Sequence, residues 1–235
     1  MKLLLISNST NSGEAYLEYP SHEIRNFLGS KTVPALFIPY AAVGVSYDDY
    51  TDKVKTRFNE IGHDIFSIHN FQDPVSAVKN AEAIVAGGGN TFMLITILHK
   101  LNLLKLLNEK ITGGTPFIGW SAGANIACPT ICTTNDMPII QPPGFDALNL
   151  VPFQINPHYT DINIDGHAGE TRQARIEEFL ELNRNVWVTG LREGTMFSLE
   201  NKNLQLIGSR PVKIFRYGRF PFEKEPGENL NFLLE

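Results

Sequence analysis

Short apolar runs alternate with longer segments of helical period along most of this 235-residue chain, and that alternation limits the folds open to it more than any single residue does. Residues 3–7, 35–38, 65–68, 83–86, 116–120 and 186–190 read as strands of a buried sheet. Between them Tyr47, Tyr50, Val54, Phe58 and Ile61 recur at three- and four-residue steps, which predicts an amphipathic helix ended by Gly62. Such alternation implies an α/β fold with a mostly parallel sheet covered by helices on both faces. The tail differs: residues 195–199 and 204–208 flank Glu200-Asn201-Lys202-Asn203, the pattern of an antiparallel hairpin, and residues 212–215 add a further strand. With no repeat, low-complexity run or linker, we expect a single domain over residues 1–235.

The chain is 43% hydrophobic and 19% charged, which suits one sizeable core and excludes a disordered chain. A formal net charge of -5 argues against nucleic acid or an anionic membrane as the main partner. The opening apolar run stops at Ser7, too short for a signal-peptide core and suited to a first strand. The most hydrophobic stretch, residues 92–107, is interrupted by Thr96, His99, Lys100, Asn102 and Lys105, and reads as a buried helix rather than a membrane span. Cys128 and Cys132 have a C-x3-C spacing with no accompanying pair, so we expect two small buried thiols rather than a metal site. So few cysteines fit a reducing compartment, and the expected location is the cytoplasm.

The chemistry concentrates at two glycine turns. Gly119-Trp120-Ser121-Ala122-Gly123 follows the strand ending at Trp120 and opens an Ala-rich helix start. A sharp strand-to-helix turn of this kind projects the serine from the strand end, and its glycines remove side chains that would clash. The spacing alone is weak and also fits a purely structural turn. The second turn, Gly87-Gly88-Gly89-Asn90-Thr91, follows the strand at 83–86. Its uncovered N–H groups can form an anion-binding nest, and Asn90 can cap the next helix. It lacks the Gly-Lys-Ser/Thr of a Walker loop and the spacing of a dinucleotide fingerprint. In an open α/β sheet both turns lie at the carboxyl ends of strands, where ligands bind. Together they suggest a serine nucleophile and an oxyanion hole, one half from the glycine cluster and the other from the N–H of Ala122.

A serine nucleophile needs a base. Of the six histidines, His158 stands out because Pro157 fixes the backbone just before it, with His167 second. His22, His63 and His69 lie in or beside loops, and His99 sits in the apolar helix. The third member must be a carboxylate that holds the imidazole in one tautomer. Asp136, Asp146, Asp161, Asp165, Glu170 and Glu193 are available. Glu193 follows the strand at 186–190 and is favoured by that placement, and Asp136 is the competitor.

These segments together resemble a known family. Gly87-Gly88-Gly89-Asn90-Thr91, the run from Ile118 through Ser121 to Asn125, Asn156-Pro157-His158 and Gly169-Glu170-Thr171-Arg172 are similar to the motifs of the aspartyl dipeptidases of the peptidase E type, the S51 serine peptidases. The resemblance implies a fold related to class I glutamine amidotransferases (flavodoxin-like), with Ser121 as nucleophile, His158 as base, and Gly88 and Ala122 as oxyanion donors. It implies cleavage of dipeptides with an amino-terminal aspartate, without a cofactor or metal. It leaves Glu193 and Asp136 both open as the third member.

The helix expected from residues 169 to 182 turns Ile176, Phe179, Leu180 and Leu182 to one side, with Arg172 near the centre of that face. An inward guanidinium needs an anion, either an internal carboxylate or the side chain of a substrate aspartate, and Arg175 flanks the same face more weakly. Two other readings are open: a cyanophycinase-like or β-aspartyl peptidase with the same triad, and a non-catalytic module that holds a carboxylate metabolite. Residues 161–169, rich in Asp and Gly, are the expected place for a lid.

Overall fold

The computed structural model describes residues 1–162 and 169–235. In chain order the first half comprises β1 (Lys2–Ile6), α1 (Ser21–Leu28), β2 (Pro34–Ile38), α2 (Tyr47–Glu60), β3 (Asp64–Ser67), α3 (Pro74–Asn80), β4 (Ala83–Ala86), α4 (Thr91–Lys100), α5 (Leu104–Thr112) and β5 (Phe117–Trp120). There follow α6 (Ala122–Asn125), β6 (Gln154–Tyr159), α7 (Arg172–Leu182), β7 (Val188–Arg192), β8 (Thr195–Glu200), β9 (Asn203–Gly208), β10 (Val212–Phe215) and β11 (Phe222–Lys224).

Seven strands form one sheet in the order β3-β2-β4-β5-β1-β8-β9. The first five run parallel, and β8 and β9 join antiparallel beyond β1. A strand alternates its side chains between faces, and β1 is apolar on both. Leu3 and Leu5 enter one core, Leu4 and Ile6 the other. Helices must therefore cover both faces. Ile24 and Phe27 of α1 and Val54 and Phe58 of α2 close one side, while Val78 of α3, Leu94 and Leu98 of α4 and Leu107 of α5 close the other. Each such side chain, buried completely, contributes roughly 1.5–3 kcal/mol.

The remaining strands make a second sheet in the order β11-β10-β7-β6, in which β6 and β7 are parallel and the other pairs antiparallel. One face of it, with Ile155, Leu191 and Ile214, joins the core beneath α4 and α5. On the other, Tyr159, Val188 and Phe215 pack against Ile176 and Leu180 of α7.

Several expectations need correction. The stretch 92–107 is two helices, because Asn102 takes a left-handed φ of 53° and Leu103 N–H turns back to Leu98 C=O. The strand expected at 186–190 lies two residues later and belongs to the second sheet. The expected antiparallel hairpin is present as β8 and β9, and β8 pairs with every residue of β1. The last helix begins at Arg172, capped by the Thr171 side chain, and Leu182 is 91% exposed rather than on the apolar face. Cys128 is buried, but Cys132 is exposed. Among the described residues, no helix is long and apolar enough to cross a membrane.

Candidate active site

Ser121 stands between β5 and α6 with φ 53° and ψ -113°, a conformation that costs of order 1–3 kcal/mol and persists only where neighbours impose it. Its N–H donates to Ile6 C=O, while its C=O accepts from the N–H groups of Ala124 and Asn125. The two flanking glycines are required by backbone crowding. A Cβ on Gly119 would sit 2.2 Å from the Gly123 carbonyl oxygen, and one on Gly123 would sit 2.1 Å from that of Ala86. α6 is a single turn, so its macrodipole is small, and the free N–H of Ala122 matters more than the helix as a whole.

His158 lies inside β6, where the register with β7 shifts between Asn156 and Tyr159, and its φ is 54°. Its Nε2 is 2.9 Å from Ser121 Oγ, and its Nδ1 is 2.8 Å from Glu193 Oε1. A carboxylate only accepts, so the Nδ1–H tautomer faces Glu193 and leaves Nε2 free to accept from the serine. Nucleophile and histidine thus come from different sheets, and the carboxylate comes from the turn that joins β7 to β8.

Two residues at the end of β1 hold this arrangement, and neither stood out in the sequence. The Ser7 hydroxyl, fully buried, donates to Leu191 C=O at 2.8 Å and accepts from His158 N–H at 2.9 Å. Asn8 Oδ1 accepts from Gly194 N–H and from Tyr19 Oη, which fixes the turn that carries Glu193. The available signal was position alone: polar residues at the carboxyl end of a strand, on the edge where sheets of this kind bind ligands.

Gly88 backs directly onto the serine, since a Cβ there would lie 3.1 Å from Ser121 Cβ and 2.9 Å from Trp120 Cδ1. Its carbonyl accepts from Tyr50 Oη at 3.0 Å, and Trp120 Nε1 donates to the same hydroxyl at 3.2 Å. Gly87 makes room for that hydroxyl, for a Cβ there would meet it at 2.5 Å. Burial pushes the Tyr50 phenol up, so it remains a neutral donor. Among the described residues, the N–H groups of Gly88 and Ala122 have no backbone acceptor.

Asp136 sits elsewhere. Its carboxylate accepts from the N–H (2.7 Å) and hydroxyl (2.6 Å) of Thr91, at the start of α4. Asp161 binds Arg192, Lys213 and Tyr159, Glu170 lies 3.7 Å from Arg175, and Asp146 pairs with Thr130 in an isolated bridge. Of the other histidines, His22 contacts Glu23, His63 accepts from Val33 N–H, His69 contacts Asp48 and His99 contacts Asp146 C=O. His167, Asp165 and most of the segment 161–169 lie outside the described residues. Burial pushes the Cys128 thiol up to about 12, so it is not a nucleophile.

Arg172 is half-buried at the first position of α7. Burial, and then the Arg175 charge, lower its pKa, opposed by the charges of Glu193 and Asp136, so it lies within the field of both carboxylates. A cleft of about 680 Å³ opens beside Ser121 and His158, lined also by the residues after β2, the glycine turn and α2.

The model of Peptidase family S51 matches residues 3–207. Peptidase E of Nostoc sp. is 53% identical over 234 residues, covering 100% of this chain and 97% of that protein. Peptidase E of Shigella flexneri is 44% identical over 227 residues, covering 97% and 99%. The crystal structure of a peptidase from an acI-B1 Actinobacterium has the same fold, with a TM-score of 0.71 over 97% of this chain and 96% of that one at 17% identity. With a family match over most of its length and full-length relatives at this identity, the chain belongs to peptidase family S51.

Proposed function

We propose that this serine dipeptidase hydrolyses Asp-Xaa, with Ser121 as nucleophile, His158 as general base and Glu193 as the group that orients the imidazole. The observation that carries this reading is the unbroken chain from Ser121 Oγ to His158 to Glu193, at 2.9 and 2.8 Å. His158 takes the serine proton as Oγ attacks the aspartyl carbonyl carbon, and the carbonyl oxygen turns toward the N–H groups of Gly88 and Ala122. One such donor is worth roughly 3–4 kcal/mol in the transition state. The proton then passes to the leaving nitrogen, the C–N bond breaks, and water hydrolyses the aspartyl ester by the reverse proton path.

Arg172 holds the substrate's aspartate side chain, where its fork suits two hydrogen bonds to a carboxylate. What supports this is a half-buried guanidinium with no carboxylate within 4.0 Å among the described residues. Glu193 is preferred to Asp136 because Asp136 is engaged with Thr91. We assign the protein to the cytoplasm on its two free cysteines, and give it peptide rather than nucleic acid or membrane as its partner.

The test is hydrolysis of Asp-Leu beside Asn-Leu, Glu-Leu and Asp-Leu-Gly by the wild type and by Ser121→Ala. Selective cleavage of Asp-Leu, lost in the variant, is expected. Cleavage of β-aspartyl or Asp-rich polymer substrates instead would reassign the substrate while keeping the nucleophile. Unchanged Asp-Leu turnover in Ser121→Ala would refute the assignment of the nucleophile.

A further inference from the structure

The aspartyl half of the substrate has a proposed anchor in Arg172, but the leaving half has none. Arg172 does not line the cleft beside Ser121, so the leaving residue, on the other side of the scissile bond, has that cleft open to it. Its wall is built from the loop after β2 and from α2. Val43, Val45 and Ile139, more than 40% exposed, present apolar surface to it. Lys53 brings an ammonium group.

Lys53 is held in place. Its Nζ lies 4.1 Å from the centroid of the Tyr16 ring, and Tyr16 packs edge-on against Trp120, the residue before the serine. The Tyr16 hydroxyl reaches that of Tyr50, one turn before Lys53 on α2, at 3.3 Å. The ammonium is thereby tied through an aromatic platform to the turn that carries Ser121. Its neighbour Lys55 pairs with Asp64 at 3.5 Å. Lys53 has no carboxylate within 4.0 Å among the described residues. Asp49, the acid in the same wall, accepts a hydrogen bond from Ser46 Oγ at 2.7 Å.

Resting on the aspartyl-dipeptidase reading, we infer that Lys53 binds the free α-carboxylate of the leaving residue, and that Val43, Val45 and Ile139 receive its apolar side chain. A dipeptide ends in a carboxylate on the carbon next to the leaving nitrogen. A tripeptide or a dipeptide amide carries a neutral amide at that point. One cation in the wall of the cleft that Ser121 also lines therefore distinguishes chain lengths that the nucleophile itself does not.

The experiment compares kcat/KM on Asp-Leu and on Asp-Leu-amide for the wild type and Lys53→Met. The wild type should prefer the free acid about tenfold, mainly through KM, the scale expected of one charge-assisted contact. Lys53→Met should bring the two substrates to within about twofold of each other by slowing Asp-Leu. Turnover of the amide by the variant shows that it is folded. A wild-type enzyme that treats both alike, or a variant that keeps the full preference, overturns the role of Lys53 and leaves the aspartyl reading intact. A wild type that cleaves neither refutes the reading of the substrate, and this assignment with it.

Discussion

Ser7→Ala removes one oxygen far in sequence from the serine and histidine, and two buried groups depend on that oxygen. Leu191 C=O loses a donor at 2.8 Å and His158 N–H loses an acceptor at 2.9 Å, at a site with no exposure to solvent. An orphaned buried group costs about 1–3 kcal/mol, so the pair should cost roughly 2–6 kcal/mol. For a chain of this size that lowers Tm by roughly 4–24 °C. The second effect is catalytic. His158 holds a φ of 54°, and its N–H is one of the restraints on that conformation. A displacement of the imidazole by about 1 Å costs on the order of 100-fold in rate. Urea unfolding at an unchanged m-value, with kcat on Asp-Leu beside it, measures both. If Ser7→Ala unfolds within about 0.5 kcal/mol of the wild type and keeps kcat within about twofold, the account of this junction is wrong.

Three further outcomes are expected. Glu193→Gln should lower kcat at least about 100-fold with its fold intact, whereas Asp136→Asn should cost about 1 kcal/mol of stability, as a weakened helix start does, with little change in kcat. The reverse pattern in the same kinetics and melts would transfer the orienting role to Asp136. Tyr50→Phe leaves the Gly88 carbonyl without its donor, so kcat should fall about tenfold while KM holds; equal losses in both would mean a collapse of the cleft instead. Burial alone would raise the Asp161 carboxyl, but hydrogen bonds from Lys213, Arg192 and Tyr159 outweigh it and bring the pKa from 3.8 down to about 2. A depressed carboxylate stabilises the fold above its ordinary pKa and ceases to as pH falls through the folded value. The stability gap between the wild type and Asp161→Asn, followed by denaturant melts, should therefore narrow as pH drops from 3.8 to about 2, and a constant gap would count against the pairing.

The sequence revealed what rests on local chemistry. Period and length identified the parallel strands and α2, because a strand buried on both faces has few alternatives to an unbroken apolar run. The glycine turns were legible because Gly119 and Gly123 answer to backbone contacts that no other residue permits. His158 was legible by its proline, and it is the next-to-last residue of β6, at a register shift. What escaped was set by distant parts of the chain. The break at Asn102 and the transfer of β7 to a second sheet depend on which elements lie nearby, and hydrophobic period carries no record of that. Ser7 and Asn8 read as ordinary polar residues after a strand, and their importance comes from partners more than 150 positions away. Residues 161–169 drew attention by composition, and most of them fall outside the described residues.

The division of the proposed triad between two sheets has a consequence for how this enzyme comes to life. Serine and histidine meet only when β6 has docked against α6 and the residue that follows β1, and the glutamate arrives with the turn that passes from one sheet to the other. A nascent or half-folded chain that had formed either sheet alone would hold a serine with no base or a histidine with no nucleophile. Such a chain would be inert toward the peptides around it without any separate inhibitory segment. Hydrolytic activity is then a report on the last docking event, and a refolding experiment followed by turnover should lag one followed by the secondary structure of either sheet.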